Sequence, residues 1–486
     1  MCQTPFDILI IGGGITGAGI ALDAASRGLK TCLVEMKDFG SGTSGRSTKL
    51  IHGGLRYLKQ LEFRLVSEIG KEREIVHRNA PHLTKPEHML LPLYKGGSLG
   101  KLSGWMGMNI YEWLAGVKKE EWHKMLSIKE TLQAEPLLPS KDLLGSILFY
   151  EYRTDDARLT LEVMKEAVRH GASAMNYLKV TSCLYEKEKI CGVVVKDQLG
   201  NREGRIHATY VVNATGPWVD LTGALDNPKE ETKLHITKGI HLVFDQQKLP
   251  VKQALYFDTF DKRMIFAIPR EGKTYLGTTD TFYDGDITNP TVEKADADYL
   301  LRCLHTYFPD LNLKITDIES SWAGLRPLIQ KPGKGPSEIS RKDEIFESAS
   351  GLITIAGGKL TGYRKMAQRV VDRIYDKKGG IQPKCITDQI PLPESKFKEW
   401  EKNLSPTAGP PPSIKAWLSY SIEEEFCCTL SDFLVRRTSA AYFHIGDVNR
   451  WKDILLEYMA ELMNWDEPTK SKNMQDLENN LRQFSG

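Results

Sequence analysis

The stretch FDILIIGGGITGAGIALDAASRGLKTCLVE, residues 6–35, decides the fold. Phe6 to Ile11 is a short apolar run rich in β-branched residues, as expected of a strand buried on both faces. Three glycines follow at once. Ile20, Ala21, Ala24 and Ala25 then recur at helical spacing, and Gly28 stands where a helix ends on a left-handed residue. Lys30 to Glu35 reads as a second strand, so the chain opens as a βαβ unit with a right-handed crossover. Gly12-Gly13-Gly14-Ile15-Thr16-Gly17 satisfies G-x-G-x-x-G. Gly12 permits the tight turn, Gly14 lets backbone approach a pyrophosphate, and Gly17 lets helix pack on strand. Ile15 and Thr16 then sit at the helix N-terminus that receives the phosphates. Glu35 ends the next strand at the spacing of a ribose-binding acid.

Two further turns point to a long cofactor. Asn213-Ala214-Thr215-Gly216 ends a strand far downstream, and Gly357-Gly358-Lys359-Leu360-Thr361 sits at a strand-to-helix turn near the end of the same region. Three separated backbone turns suit FAD better than NAD. A helix N-terminus at the third turn can stabilise the charge of reduced flavin. Thr43 and Ser44 are further cofactor candidates.

The totals set bounds. A chain of 486 residues needs two or three domains. At 41% apolar and 26% charged it has the composition of a soluble globular protein. With 65 basic and 63 acidic residues the net charge is +2, and no global field points to nucleic acid. The 8 cysteines are scattered with no C-x-x-C, which argues against a disulfide scaffold or a metal site and fits a reducing compartment. No secretory leader or membrane-spanning run is visible.

Along the chain, a helix is expected from Asp155-Asp156, whose carboxylates can cap it. Tyr177 to Leu184, Val193 to Val195 and Arg205 to Val212 read as a strand meander. Leu242 to Tyr256 and Met264 to Thr278 read as strands of a separate sheet, and Leu352 to Ala356 as a short buried strand. Lys331 to Pro336 is a loop and Ser405 to Ser413 a Pro-rich linker. Ile422 to Ala440 and Trp451 to Asn464 show helical periodicity. The aromatic cluster Trp105, Met106, Met108, Ile110, Tyr111, Trp113 and Leu114, flanked by lysines, fits either core packing or a membrane interface. Arg436-Arg437 fits a solvated helix face or a domain contact.

Several ordered blocks together resemble the FAD-dependent glycerol-3-phosphate dehydrogenase family of aerobic, respiratory type. They are Ser47 to Tyr57 (STKLIHGGLRY), Asp155 to Leu159 (DDARL), Val211 to Trp218 (VVNATGPW), Gly277 to Asp280 (GTTD), Gly324 to Leu328 (GLRPL) and Gly357 to Arg364 (GGKLTGYR). Thr429 to Thr438 resembles that family's C-terminal helical domain. The resemblance implies an α/β FAD-binding Rossmann-like domain of glutathione-reductase type over residues 1–90, 150–235 and 325–385. It implies an inserted, mainly antiparallel substrate domain over 91–149 and 236–324, and a C-terminal helical domain over 386–486. Arg56, Tyr57, Arg326, Arg341, Lys359 and His241 are then expected around a phosphate-bearing substrate, which suits the bidentate geometry of arginine. For Arg341 a surface ion pair is an equal alternative.

The implied reaction is oxidation of glycerol 3-phosphate to dihydroxyacetone phosphate, with the hydride going to flavin. His52 is the first candidate for the base and His241 the second, because histidine titrates near working pH. Arg326 would polarise the developing oxyanion. The family further implies a quinone acceptor and peripheral attachment to the inner face of the cytoplasmic membrane from the cytoplasm; a homodimer is compatible with it. The alternatives are an oxidase that returns electrons to oxygen, an amine oxidase of the same fold, and a non-catalytic flavin-binding protein.

Overall fold

The computed structural model describes residues 5–53, 62–229, 234–329, 343–394, 396–397 and 409–482. The strand Phe6–Ile11 pairs in parallel with Thr31–Val34 on one side and Glu203–Asn213 on the other. Ser173–Met175 and Ile353–Ala356 extend the parallel sheet outward, and Glu344–Glu347 closes one edge antiparallel. One face carries the helices Ile15–Ser26, Asp156–Arg169 and Tyr363–Lys378, packed through Ile20, Ala24, Leu159, Met164, Val370 and Ile374. The other face is covered by the strands Leu178–Glu186 and Lys189–Asp197, packed through Val180, Val193 and Val195. Coverage on both faces explains the unbroken apolar runs, as expected of a parallel sheet. This is the FAD-binding fold of glutathione-reductase type.

The second sheet is separate, as the sequence suggests. Leu234–Asp245 pairs along its length with Ile318–Ile329 and, on its other edge, with Lys273–Gly277. The sheet continues through Met264–Arg270, Ala254–Asp258, Thr84–Tyr94, Leu143–Thr154 and Leu50–Ile51. Every pairing is antiparallel except Ala254–Asp258 with Thr84–Tyr94. One face buries the helix Lys294–Tyr307 through Leu300, Leu304 and Phe308. The other shares a core with the C-terminal helices through Trp322, Ile268, Trp417, Phe433, Tyr442 and Trp451.

Three readings of element shape are corrected. Leu242 to Tyr256 is not one strand: the first ends at Asp245, residues 246–253 form a connection, and Ala254–Asp258 begins again. Met264 to Thr278 is a hairpin, because Glu271 and Gly272 both adopt positive φ and make a two-residue turn. Ile422 to Ala440 is not one helix. Pro412–Glu424 stops where Phe426 turns left-handed, and a wide turn, Asp432–Arg437, ends at the left-handed Ser439. Burial almost throughout residues 430–440 put apolar residues at helical spacing there without a continuous helix. The Lys331–Pro336 loop and residues 405–408 of the Pro-rich linker lie outside the described residues.

Arg436-Arg437 is a domain contact, not a solvated face. Both guanidinium groups grip the carboxylate of Asp38, in the loop after Thr31–Val34; Arg437 Nη2 lies 2.9 Å from Asp38 Oδ1. Burial alone would raise the Asp38 carboxyl, but Arg437 and Arg436 more than offset that and hold it below its ordinary value. Removing one partner of a buried pair strands the other charge at a cost of about 3–5 kcal/mol. Asp38→Ala should therefore lose stability of that order in reversible denaturant unfolding of the FAD-loaded protein. An unfolding curve superimposable on wild type would show that this contact does not hold the C-terminal helices in place.

Candidate flavin and substrate site

The carboxyl ends of the parallel strands open onto one cavity of about 1030 Å³, at the upper end of the size range for small-molecule and cofactor sites. Its walls come from the turns after Ile11, Val34, Asn213 and Ala356, at the crevice where the strand order reverses. Glu35 and Lys359 follow strands three inter-strand spacings apart, roughly 14 Å at ~4.8 Å each. The cavity thus has two ends.

At the Glu35 end the geometry is that of a dinucleotide site. Gly12 has φ +112, and a Cβ there would stand 2.6 Å from the Ala214 carbonyl oxygen. Gly17 does not line the cavity; a Cβ on it would come within 1.9 Å of the Gly12 carbonyl oxygen, so only glycine lets the helix sit so close. The helix Ile15–Ser26 begins at Gly14 with no capping side chain of its own. The Ser44 hydroxyl accepts from the Ile15 amide at 2.9 Å. Glu35 accepts from the amides of Gly13 at 2.7 Å and Lys37 at 2.9 Å, which fixes its carboxylate. Burial raises its pKa, and these two amides pull it back.

The middle and far walls hold the other expected residues. Ile15, Thr16, Thr43, Ser44, Ala214, Thr215, Gly216, Gly358, Lys359, Leu360 and Thr361 all line the cavity. Thr43 donates to the Leu325 carbonyl at 2.7 Å, and Thr361 to the His52 carbonyl at 3.2 Å. The long cavity, the helix start at Gly14 and the fixed Glu35 carboxylate together fit FAD.

His52, His241, Arg326 and Lys359 all line this cavity, and Arg326 is near enough to His241 for its charge to bear on the ring. Arg326 lies across Gly239, where a Cβ would stand 2.1 Å from its Nη2. It donates to Thr278 Oγ1 at 2.9 Å and to the Thr279 carbonyl at 3.2 Å, and it lies 3.3 Å from Asp280 Oδ1. The GTTD and GLRPL blocks therefore meet at this one side chain. His241 is buried, stacks on Trp322 with centroids 4.6 Å apart, and places Nε2 3.0 Å from Thr48 Oγ1. Burial, with Arg326 and Lys49 nearby, drives its pKa well below the ordinary range, so it stays neutral. Arg56, Tyr57 and Arg341 lie outside the described residues.

Sequence reasoning missed six charged groups in the cavity wall: Lys37, Arg46, Glu151, Lys179, Lys262 and Arg263. Arg46 immediately precedes the Ser47 block and could have been found there. Lys262 and Arg263 sit in the turn between Ala254–Asp258 and Met264–Arg270, a connection to which the sequence reading gave no role. Glu151 stands in an apolar strand, where a lone buried carboxylate was the available signal.

The fold and this crevice define a flavin-dependent oxidoreductase. Residues 7–364 match the family model for FAD dependent oxidoreductases, and residues 385–470 that for the C-terminal domain of alpha-glycerophosphate oxidase. The aerobic glycerol-3-phosphate dehydrogenase of Bacillus subtilis is 50% identical over 98% of this chain and 95% of its own. That of Staphylococcus haemolyticus is 47% identical over 97% and 93%. The structure of the glycerol-3-phosphate dehydrogenase from Bacillus halodurans complexed with FAD aligns at a TM-score of 0.81 and 42% identity, covering 99% of this chain and 96% of that one. The L-alpha-glycerophosphate oxidase of Mycoplasma pneumoniae shares the fold at a TM-score of 0.62 and 17% identity. The chain belongs to the FAD-dependent aerobic glycerol-3-phosphate dehydrogenase family.

Proposed function

We propose that the protein oxidises sn-glycerol 3-phosphate to dihydroxyacetone phosphate and passes the electrons to a quinone at a membrane surface. The observation that carries the reading is that Arg326, Lys359 and His52 line the same cavity as the dinucleotide-type turns and Glu35. Bound FAD supplies the hydride acceptor, a reactivity that belongs to the cofactor. The protein's own part is to hold a phosphate dianion, orient the C2 alcohol and take its proton. Arg326 and Lys359 supply charge for the phosphate and the developing oxyanion, and Arg263 lines the same cavity. Arg56, Tyr57 and Arg341 complete that set through the family resemblance.

Of the two histidines, His52 suits the proton-accepting role. The pKa of His241 is pushed so low that the ring has little appetite for a proton, so it orients the alcohol or Thr48 instead.

Two features support a lipid-borne acceptor. Part of the cavity wall is apolar, contributed by Met89, Leu99, Phe149, Tyr256, Met264 and Phe266. Leu99 leads directly into the helix Lys101–Ala115, which buries Met108 and Tyr111 but exposes Leu102 at 70%, Trp105, Met106, Ile110 and Trp113 at 76%. The aromatic cluster thus divides between core packing and an exposed apolar face of the kind that seats in a membrane interface. Among the described residues no helix is long and apolar enough to cross a membrane.

His52→Ala should retain FAD and slow anaerobic flavin reduction by at least about 100-fold, the lower range for a lost general base. Reduction at the wild-type rate would remove His52 from that role. Substrate-reduced enzyme should be re-oxidised quickly by a soluble quinone and slowly by air. Fast re-oxidation in air with peroxide released would make the protein an oxidase.

A further inference from the structure

One buried titratable group at the substrate end plays no part in the scheme above. Glu151 is 5% exposed, sits in the strand Leu143–Thr154 and lines the cavity. Arg73, from the helix Phe63–Asn79, brings Nη1 to 3.5 Å from Glu151 Oε2. The backbone amide of Gly53 donates to the same carboxylate, and Lys359 is near enough for its charge to bear on it. From the helix Lys101–Ala115 comes the Tyr111 hydroxyl, buried with no hydrogen-bond partner among the described residues. It occupies the space that a Cβ on Gly53 would need, at 1.8 Å. Arg73 is itself held over the Tyr152 ring at 5.0 Å, and the Tyr152 hydroxyl donates to Glu121 at 2.8 Å.

Gly53 follows His52. The His52–Gly53 backbone is therefore gripped from two sides, by Thr361 at the His52 carbonyl and by Glu151 at the Gly53 amide. The two grips differ in kind. A threonine hydroxyl does not change charge with pH, whereas a carboxylate does. Burial raises the Glu151 carboxyl to about 7, against the pull of Arg73, the Gly53 amide and Lys359. Ionised, it accepts from the amide and pairs with Arg73. Protonated, it loses the ion pair and weakens as an acceptor.

We propose that Glu151 is a positioning residue for substrate oxidation: its carboxylate, clamped between Arg73 and the Gly53 amide, fixes the His52–Gly53 backbone so that the imidazole meets the substrate alcohol. The inference rests on the reading of His52 as proton acceptor. Glu151 makes and breaks no bond to substrate. The hydroxyl proton goes to the imidazole and the hydride leaves C2 for the flavin, with or without the clamp, but at different rates.

The test is anaerobic stopped-flow reduction of the FAD-loaded protein by sn-glycerol 3-phosphate across a pH series. In wild type the limiting rate should fall below about pH 7 with a two-proton slope, one proton for the imidazole and one for Glu151. Glu151→Gln should leave a one-proton slope and lower the rate above pH ~8 by about 10-fold, the loss of one charge-assisted hydrogen bond. Glu151→Asp should recover part of that rate and a two-proton slope. A glutamine variant with the wild-type slope and rate overturns the inference. If Glu151→Gln does not load FAD, Glu151→Asp decides: a displaced acid limb supports the clamp, and an unchanged one overturns it. Failure of the wild-type protein to be reduced at all would instead overturn the proposed function.

Discussion

Two adjacent carboxylates, Asp155 and Asp156, set the arrangement on which the rest of the molecule depends. Asp156 is wholly buried and accepts from the amide of Ser47 at 2.8 Å, the Ser47 hydroxyl at 2.6 Å and Lys49 Nζ at 2.6 Å. Asp155 caps the helix Asp156–Arg169 through the Arg158 amide at 3.0 Å and reaches Ser439 at 2.7 Å and Arg270 at 3.5 Å. One corner thus joins the FAD-binding helices, the loop that carries Thr43 to His52, the second sheet and the C-terminal helices. Burial would raise the Asp155 carboxyl, yet Lys49 and Arg270 hold it below its ordinary value. Two buried anions side by side are stable only because these cations and the helix N-terminus meet them.

The consequence reaches the substrate end. With Ser47 and Lys49 pinned, Thr48 lies between His241 and the Tyr275 hydroxyl, which donates to the Thr48 carbonyl at 3.1 Å. His52 follows four residues later, on the short strand-end segment after Leu50–Ile51. The loop has little freedom left, so under the proposed function the backbone that carries His52 is arranged before any substrate arrives. Prepaid order of this kind is what lets binding energy act on the transition state.

The opening βαβ unit was legible because its reasons are local: an apolar run, three glycines and a helical repeat decide it within thirty residues. The blocks around Ser47, Gly277, Arg326 and Lys359 were legible as blocks, and the cavity gathers them; the Asp155 block stands outside the cavity lining and holds Ser47. What each block touches was not legible, since Ser47 and Asp156 are 109 positions apart. The same distance hid the role of Arg436-Arg437, whose partner Asp38 is about four fifths of the chain away. Elements were misread where periodicity had two causes. Residues 430–440 are buried almost throughout, which puts apolar residues at helical spacing, and the left-handed turns at Phe426 and Ser439 leave no mark in that pattern. Glu151 escaped because alternation in a buried strand says which face a residue takes, not why a carboxylate should be there.

The central claim is that one cavity holds FAD at its Glu35 end and a phosphorylated alcohol at its Arg326 end. Anaerobic titration of the yellow protein with sn-glycerol 3-phosphate, and in parallel with glycerol and with glycine, tests it most directly. The account predicts that the phosphate ester alone bleaches the flavin band, at concentrations where the other two leave it unchanged. Bleaching by glycerol or glycine at the same concentrations, or none by the phosphate ester, would contradict it.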